Sequence, residues 1–448
     1  MPKRTRIDFG ELAKNFRGLL VNGPLNASTA CRHLGVSQST FSRNIAQLSH
    51  DILIVGRASK TMYALKRVIP EVGSNFTIYK IDESGKSSRF GELFAIYPKG
   101  FYFDRFFDDL PYFMDDLRPN GFLGRLIPKT HPDLELPKDI SDWSANDCLK
   151  YLTRYGSDLI GDLILGDPAF ERYLNKNLNT PDQVQRNERD KEYPKMAAQI
   201  LQFGDPGSSA GGEQPKFPAV VGPDRMPVLV KFSPKVENDI SQRRADLLIC
   251  EHLCLGILNR YGQGAARSEL IFGGGQVFLE TARFDRVGQL GRRGLISLNA
   301  LDAEFAGRRG SWTESSKELL KQQLISKKDY DDIRWRELFG HLIGNTDMHL
   351  ANISFYFQIG GTAELAPAYD MLPMLYAPQN EQIVERSFDP PLPSPANADI
   401  WRDVWVAARE FWASVSSNSQ ISPGFQRLAQ TNLKKIQSLE HLQNLLPE

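Results

Sequence analysis

Lys231 stands inside PVLVKF (227–232), an otherwise apolar run whose residue types predict a β-strand. A strand that carries an ammonium must turn it to solvent or set it beside a partner, because burying it unpaired is very costly. The surrounding stretch, 203–285, alternates Gly-rich turns with apolar runs such as QVFLET (276–281), around one helix predicted over 239–258. From about 312 onward the pattern is mainly helical, with loops near 345–352 and 366–374 and a break at PPLPSP (390–395). Upstream, 10–70 reads as helices followed by a short hairpin, 76–135 as short strands and loops, and 146–165 as helical. LNKNLNTPDQVQRNERDKEYPK (174–195) is polar and charged, which predicts a linker or exposed connection. A chain of 448 residues exceeds the roughly 250–300 at which single cores stop growing. The reading is therefore α+β with three parts: 1–72, 73–300 with mixed α/β character, and a mostly helical 301–448.

The 54 basic and 54 acidic side chains cancel, but their distribution is uneven. Through residue 70, eleven basic side chains face three acidic ones, a basic head on an acidic body. That pattern suggests a polyanion-binding module attached to something else. Four cysteines are too few for a disulfide framework, and Cys250 and Cys254 read as core residues of a helix. The start, MPKRTRIDFG, has no apolar signal region, and no run approaches the ~18 residues that span a bilayer. A cytoplasmic location without membrane contact is expected.

In STACRHLGVSQSTFSRNIAQL (28–48), Ala30, Leu34, Val36, Phe41, Ile45 and Leu48 are spaced to pack two short helices, with Gly35 at the turn. Ser37 is a suitable N-cap for the second helix, which would present Gln38, Ser39, Thr40, Ser42 and Arg43 to base edges or phosphates. ILIVG (52–56) and TMYAL (61–65) predict two strands joined by a turn that carries Arg57 and Lys60, placed to meet backbone phosphates. The segment resembles the winged helix-turn-helix of bacterial regulators, the LysR-type pattern in particular. An ordinary helical hairpin, or one used for protein contacts, is the competing reading.

Four further segments belong together. GDPGSSAGGEQPKFPAVV (204–221) has the small residues that let a backbone approach phosphate oxygens, although it is no Walker A motif. Lys231 follows on its strand. HLIGNTDMHLANISF (341–355) places Asp347 five residues before Asn352, the protein-kinase catalytic-loop spacing in which the Asp accepts a hydroxyl proton and the Asn holds Mg²⁺. His349 lies between them. LAPAYDMLPM (365–374) then offers Asp370 as a second metal carboxylate. Each segment alone has a plain structural explanation, but their order is the one a phosphoryl-transfer site needs.

At these residues the chain resembles the HipA family of serine/threonine kinase toxins. SAGGEQPK (209–216), VLVKF, TARFDR (281–286), LIGNTDMHLANISF and AYDMLP correspond to that family's segments in consistent order, and LRPNGFLGR (117–125) and YGSDLIGDLILG (155–166) resemble its N-terminal region. The resemblance implies a kinase-like fold that uses ATP and Mg²⁺. It makes Asp347 the general base and Asn352 and Asp370 the metal ligands. ATP would meet Lys231, Gly211, Gly212, Glu213, Gln214, Pro215 and Lys216, with Ala282, Arg283 and Phe284 against adenine and His349 and Tyr369 nearby. Ser209, with Ser208 as a neighbouring alternative, corresponds to an autophosphorylated loop serine; a phosphate there would repel those of ATP. Glu213 and Ala282 depart from the family pattern, where a small residue and a Glu are usual. The family also implies a protein substrate, such as an aminoacyl-tRNA synthetase, and a DNA-binding antitoxin. A helix-turn-helix fused to the kinase makes autoregulation within one chain an alternative to a separate partner.

Two other functions compete: a DNA-binding regulator with a nucleotide-sensing body, and a metal-dependent nuclease using Asp347, His349, Asn352 and Asp370. The nuclease reading leaves the Gly-rich loop and Lys231 unexplained.

Overall fold

The computed structural model describes residues 9–45, 50–178, 183–203 and 214–445. At the N-terminus, helices Phe9–Leu20, Ala27–Leu34 and Gln38–Ile45 pack on a small sheet in which Met62–Leu65 lies between Leu25–Asn26 and Ile52–Val55. The helix ends are set locally. Asn26 Oδ1 accepts the Thr29 N–H at 2.8 Å, Gly35 takes φ 66° after the second helix, and Ser37 Oγ accepts the Thr40 N–H at 3.2 Å. Phe16, Phe41 and Tyr63 meet edge to face, with centroids 5.0 to 5.7 Å apart, and form the centre of this unit. Leu48 lies outside the described residues. The expected turn at 57–60 is a 3₁₀ turn, Ala58–Lys60.

This head is not tethered loosely. Arg67 N–H donates to Ala95 O at 2.8 Å, Tyr97 N–H donates to Leu65 O at 3.0 Å, and the Arg67 guanidinium reaches Asn146 Oδ1 at 2.8 Å. Backbone pairing therefore runs from the head into an antiparallel five-stranded sheet ordered Phe106–Phe107, Phe101–Tyr102, Ser87–Ala95, Asn75–Ile81, Leu163–Leu165. The helix expected through 165 is Ala145–Tyr155; the buried run Leu163–Leu165 is instead an edge strand. Short apolar runs are ambiguous between helix and strand, and here pairing with Asn75–Ile81 decides.

The polar stretch 174–195 is no simple linker. Its ends belong to helices Asp167–Leu178 and Arg189–Leu201. Arg189 is buried because Glu269 Oε1 lies at 2.7 Å and Glu280 Oε1 at 2.9 Å, and Tyr193 also donates to Glu280. The partners that make burial tolerable come from 80 to 91 residues away, so local polarity could not reveal it.

A second five-stranded sheet, ordered Ser268–Gly273, Gln276–Ala282, Met226–Phe232, Lys216–Gly222, Val184–Gln185, shares no strand with the first. The stretch 73–300 thus carries two separate five-stranded sheets. Helix Asp239–Arg260 packs on the second, and Cys250 and Cys254 are fully buried in that helix as expected. Helices Trp312–Lys321, Lys327–Leu342, Ala398–Ser417 and Pro423–Ser438 complete the helical part around Phe339, Trp401, Trp405, Phe411 and Trp412. No helix among the described residues is long and apolar enough to cross a membrane.

Candidate active site

The strand Met226–Phe232 alternates inward and outward, yet Lys231 is only 7% exposed. Its ammonium donates to Glu251 Oε1 at 2.7 Å and Oε2 at 2.9 Å, and also to Asp370. Burial pushes the Lys231 pKa down, against the upward pull of Glu251. Glu251 is itself buried, at 2% exposure, on helix Asp239–Arg260. One strand, one helix and one downstream turn thus converge on a single cation. Asp370 holds φ 53°, a left-handed conformation that is uncommon for a non-glycine residue and is maintained only where the surroundings fix it.

The loop around Asp347 follows helix Lys327–Leu342. Gly344 takes φ 76°, and Asn345 is buried, accepting the Asp347 N–H at 3.1 Å. Asn352 Nδ2 donates to Asp347 O at 2.8 Å, which turns the amide oxygen away from that carbonyl. The Asp347 carboxylate is 53% exposed, with His349 Nε2 at 3.9 Å. Two links fasten this loop to the Asp370 turn: Leu375 N–H donates to Gly344 O at 2.9 Å, and Asn345 Nδ2 lies 3.8 Å from Met371 Sδ. A third support is Trp312, whose Nε1 donates to His349 O at 3.0 Å.

Near the other predicted contacts, Gln214 Nε2 donates to Phe232 O, and Phe232 N–H donates to Pro215 O at 3.1 Å. Lys216 pairs in register with Lys231 across the sheet, so the segment after the Gly-rich loop is held against the lysine strand. Gly211, Gly212, Glu213, Ser208 and Ser209 lie outside the described residues. The Ala282 N–H donates to Arg267 O at 2.8 Å, the Arg283 N–H to Pro227 O at 3.1 Å, and Phe284 O accepts from Tyr356 at 3.2 Å. The Arg283 guanidinium is directed away, to Asp158 Oδ1 at 3.0 Å and Asp285 Oδ2 at 3.0 Å. Arg286 joins the same pair of aspartates and Asp285 accepts the Gly161 N–H at 2.9 Å, so this arginine–aspartate group locks the first sheet's domain to the second. Tyr369 stacks obliquely 5.8 Å from Phe284; its hydroxyl lies 2.7 Å from Ser354 Oγ and donates to Ala351 O at 2.9 Å. Burial pushes the Tyr369 pKa up, so it stays a phenol.

The structure therefore brings Lys231 and Asp370 together and laces the Asp347–Asn352 loop to them, while Arg283 serves a domain junction. Sequence reasoning missed Glu251 and Trp312. The signal for Glu251 was present: Cys254, Leu255 and Leu258, three, four and seven residues on, are all buried, so helical periodicity turns this carboxylate inward. Trp312 gave no comparable signal, since only folding places its ring beside His349. The nucleic-acid candidates form a separate set in the head. Gln38, Ser39, Ser42, Arg43, Arg57 and Lys60 are exposed, while Thr40 is half-buried with its hydroxyl 2.9 Å from that of Ser37.

The expected metal donors, the Asp370 carboxylate beside the Lys231 ammonium and the Asn352 amide oxygen, are all oxygen and suit Mg²⁺ bound jointly with nucleotide phosphates. Among the described residues, no group of three or more His, Cys, Asp and Glu is arranged to hold a metal by protein side chains alone. Magnesium held jointly with phosphates requires only one or two carboxylates.

Residues 72–174 match the family model described as YjjJ-like toxin, middle domain, and residues 208–422 match that of the HipA-like C-terminal domain. Over 438 residues the chain is 34% identical to Toxin YjjJ of Escherichia coli K12, covering 94% of this chain and 97% of that one. The chain is a YjjJ-like member of the HipA toxin family. Two solved structures are similar to this family member at low identity. One is the Shewanella oneidensis MR-1 toxin–antitoxin complex of HipA, HipB and operator DNA, at 14% identity over 74% of this chain and 88% of that chain, with a TM-score of 0.44. The other is the Helicobacter pylori proinflammatory kinase CtkA, at 15% identity over 52% and 91%, with a TM-score of 0.38.

Proposed function

We propose that this toxin is an ATP- and Mg²⁺-dependent kinase that moves the γ-phosphoryl group of ATP to a serine or threonine hydroxyl of a protein. The observation that carries the reading is Lys231, buried between Glu251 and Asp370. A strand lysine paired with a helix glutamate is the arrangement that orients a lysine toward nucleotide phosphates in protein kinases. ATP supplies the phosphoryl group, and Mg²⁺ neutralises the charge that develops on it. Lys231 would neutralise the phosphates, and Asn352 and Asp370 would hold the metal. Asp347, whose carboxylate is exposed, would take the proton of the attacking hydroxyl. The Phe284 and Tyr369 rings would form an aromatic wall for adenine, and Gln214, Pro215 and Lys216 fix the end of the phosphate loop.

The Gly-rich loop serine Ser209, or Ser208, would be a self-modified residue whose phosphate repels that of ATP. The head would bind DNA as a winged helix-turn-helix, with helix Gln38–Ile45 in the major groove and Arg57 and Lys60 on backbone phosphates. Its basic excess and its outward side chains favour this over a protein-contact hairpin. The substrate would be a translation component such as an aminoacyl-tRNA synthetase. A separate antitoxin is one route to neutralisation and the fused head another.

Incubation with γ-labelled ATP and Mg²⁺ tests the enzyme. Label on the wild-type chain that is lost in Asp347→Ala, and reduced in Ser209→Ala, supports it. Equal labelling of wild type and Asp347→Ala refutes it, and DNA cleavage without ATP would favour the nuclease.

A further inference from the structure

We propose that the loop 307–310 is a specificity element of this site, in which Arg309, backed by Arg308, selects acidic side chains flanking the acceptor hydroxyl of the protein substrate. The inference rests on the kinase reading above and names the class of substrate surface that the site accepts.

The loop is built rigidly for a surface segment. A π-helical turn, Asp302–Ala306, ends at Gly307 with φ 62°, and such turns often mark functional positions. Asp302 is fully buried. Its two carboxylate oxygens accept the N–H groups of Arg308 at 3.3 Å and Arg309 at 3.0 Å. Arg309 holds φ 50°, a left-handed backbone that arginine rarely adopts. Just before the loop, Phe305 packs 5.2 Å from the Tyr112 ring and Glu304 pairs with Arg105, so the turn is clamped to the neighbouring domain.

Position follows from the chain itself. Three residues beyond Arg309, Trp312 begins a helix and bonds the carbonyl of His349, two residues from Asp347. Three residues span at most about 10 Å, so the Arg309 backbone lies within about that distance of the Trp312 backbone, whose indole bonds the Asp347 loop. An extended peptide advances about 3.3 Å per residue. An arginine tied to that indole's helix start would meet side chains several positions from a serine lying at Asp347. Asp347 and His349 are themselves more than half exposed, open to an incoming chain.

Charge decides which side chains. The carboxylates nearest in sequence are already engaged: Glu304 with Arg105, Glu314 as acceptor of the Ser311 N–H at 2.9 Å, and Glu318 shared by Arg308 and Lys321. Arg309 is exposed, and its guanidinium makes no hydrogen bond or ion pair with any described residue. The Arg308–Glu318 pair is at 3.3 Å, with Arg308 58% exposed, and such a surface pair exchanges readily for another carboxylate. A guanidinium fork fits carboxylate in a bidentate manner, which makes glutamate and aspartate the matching residues.

Two labelled peptides of equal length, each with one serine, test this. Glutamates flank the serine in one and lysines in the other. Binding to the full chain is followed by fluorescence anisotropy for wild type, Arg309→Asn and Arg309→Glu, and γ-phosphoryl transfer to each peptide is measured in parallel. Asparagine tolerates the left-handed backbone, so Arg309→Asn removes the charge with little strain, and an unchanged melting temperature verifies its fold. The wild type is expected to bind the glutamate peptide about three- to ten-fold more tightly, with the difference shrinking in high salt. Arg309→Asn should lose most of that preference, and Arg309→Glu should invert it, with changes in peptide KM rather than kcat. Equal binding of both peptides by wild type, or a preference untouched in both variants, overturns the assignment and leaves the kinase reading standing. Preferential binding without phosphoryl transfer to the peptide, in a chain that labels itself, overturns the role in substrate choice. No labelling of peptide or chain overturns the kinase reading, and this inference with it.

Discussion

Replacing Glu251 by glutamine keeps the shape of the side chain and removes the charge that faces Lys231. Removing one partner of a buried ion pair costs about 3–5 kcal/mol, because the other charge is left uncompensated. Asp370 still contacts the ammonium, which places the expected loss near the lower end, about 3 kcal/mol. For a unit the size of the HipA-like domain, residues 208–422, each kcal/mol moves the melting temperature by about 2–4 °C, so a fall of roughly 6–12 °C is expected. The pH dependence gives a second reading of the same interaction. Burial already holds the Lys231 pKa below its ordinary 10.5, and loss of Glu251 lowers it further. Between the depressed folded value and 10.5 the unfolded chain binds more protons, so stability rises with pH in that window. The variant gains more there than the wild type, and its deficit should be largest near neutrality and narrow toward pH 10. Thermal unfolding by circular dichroism across that range measures both. The double variant Lys231→Met, Glu251→Leu should lose less than the two single changes together, since an apolar pair needs no compensation. A melting point for Glu251→Gln within 1 °C of wild type, or strictly additive losses, would refute the buried-pair argument.

Other outcomes follow from the same geometry. Trp312→Phe keeps the packing but leaves His349 O without its indole donor; stability should fall by about 1–3 kcal/mol and labelling should fall with it, as thermal melts and γ-labelled ATP together would reveal. Burial would raise the Asp285 pKa, but Arg283 and Arg286 outweigh it and hold the group below its ordinary 3.8. Its stabilisation is therefore present above 3.8 and lost as pH falls through the depressed value, so the stability gap between wild type and Asp285→Asn should close in that acid range, measurable by urea unfolding against pH. In the head, Arg57→Ala and Lys60→Ala should weaken DNA binding across sequences and reduce the salt slope by about one each, whereas Gln38→Ala should relax sequence preference; anisotropy titrations at several salt concentrations distinguish them.

Candidate residues were legible in the sequence wherever they lie at short spacings. Asp347 and Asn352 lie in one loop, and a five-residue separation can be read without knowing the fold. The same holds for Gly35, whose left-handed conformation ends a helix where the pattern demanded a turn. Legibility failed where a residue's role depends on a distant partner. Arg189 looks like linker charge until Glu269 and Glu280 surround it, and nothing local in TARFDR shows that the Arg283 guanidinium pairs with Asp158 and Asp285.

Lys231 contains both halves of this lesson. Its apolar strand determined that the ammonium would face either water or an anion, because desolvation energy is a property of the residue and its immediate neighbours. Which of the two it would be, and that Glu251 and Asp370 would be the anions, was decided by helix Asp239–Arg260 packing on the sheet and by the turn beyond the Asp347–Asn352 loop. Twenty residues separate Lys231 from one carboxylate and 139 from the other, and only a folded core brings such separations within a hydrogen bond.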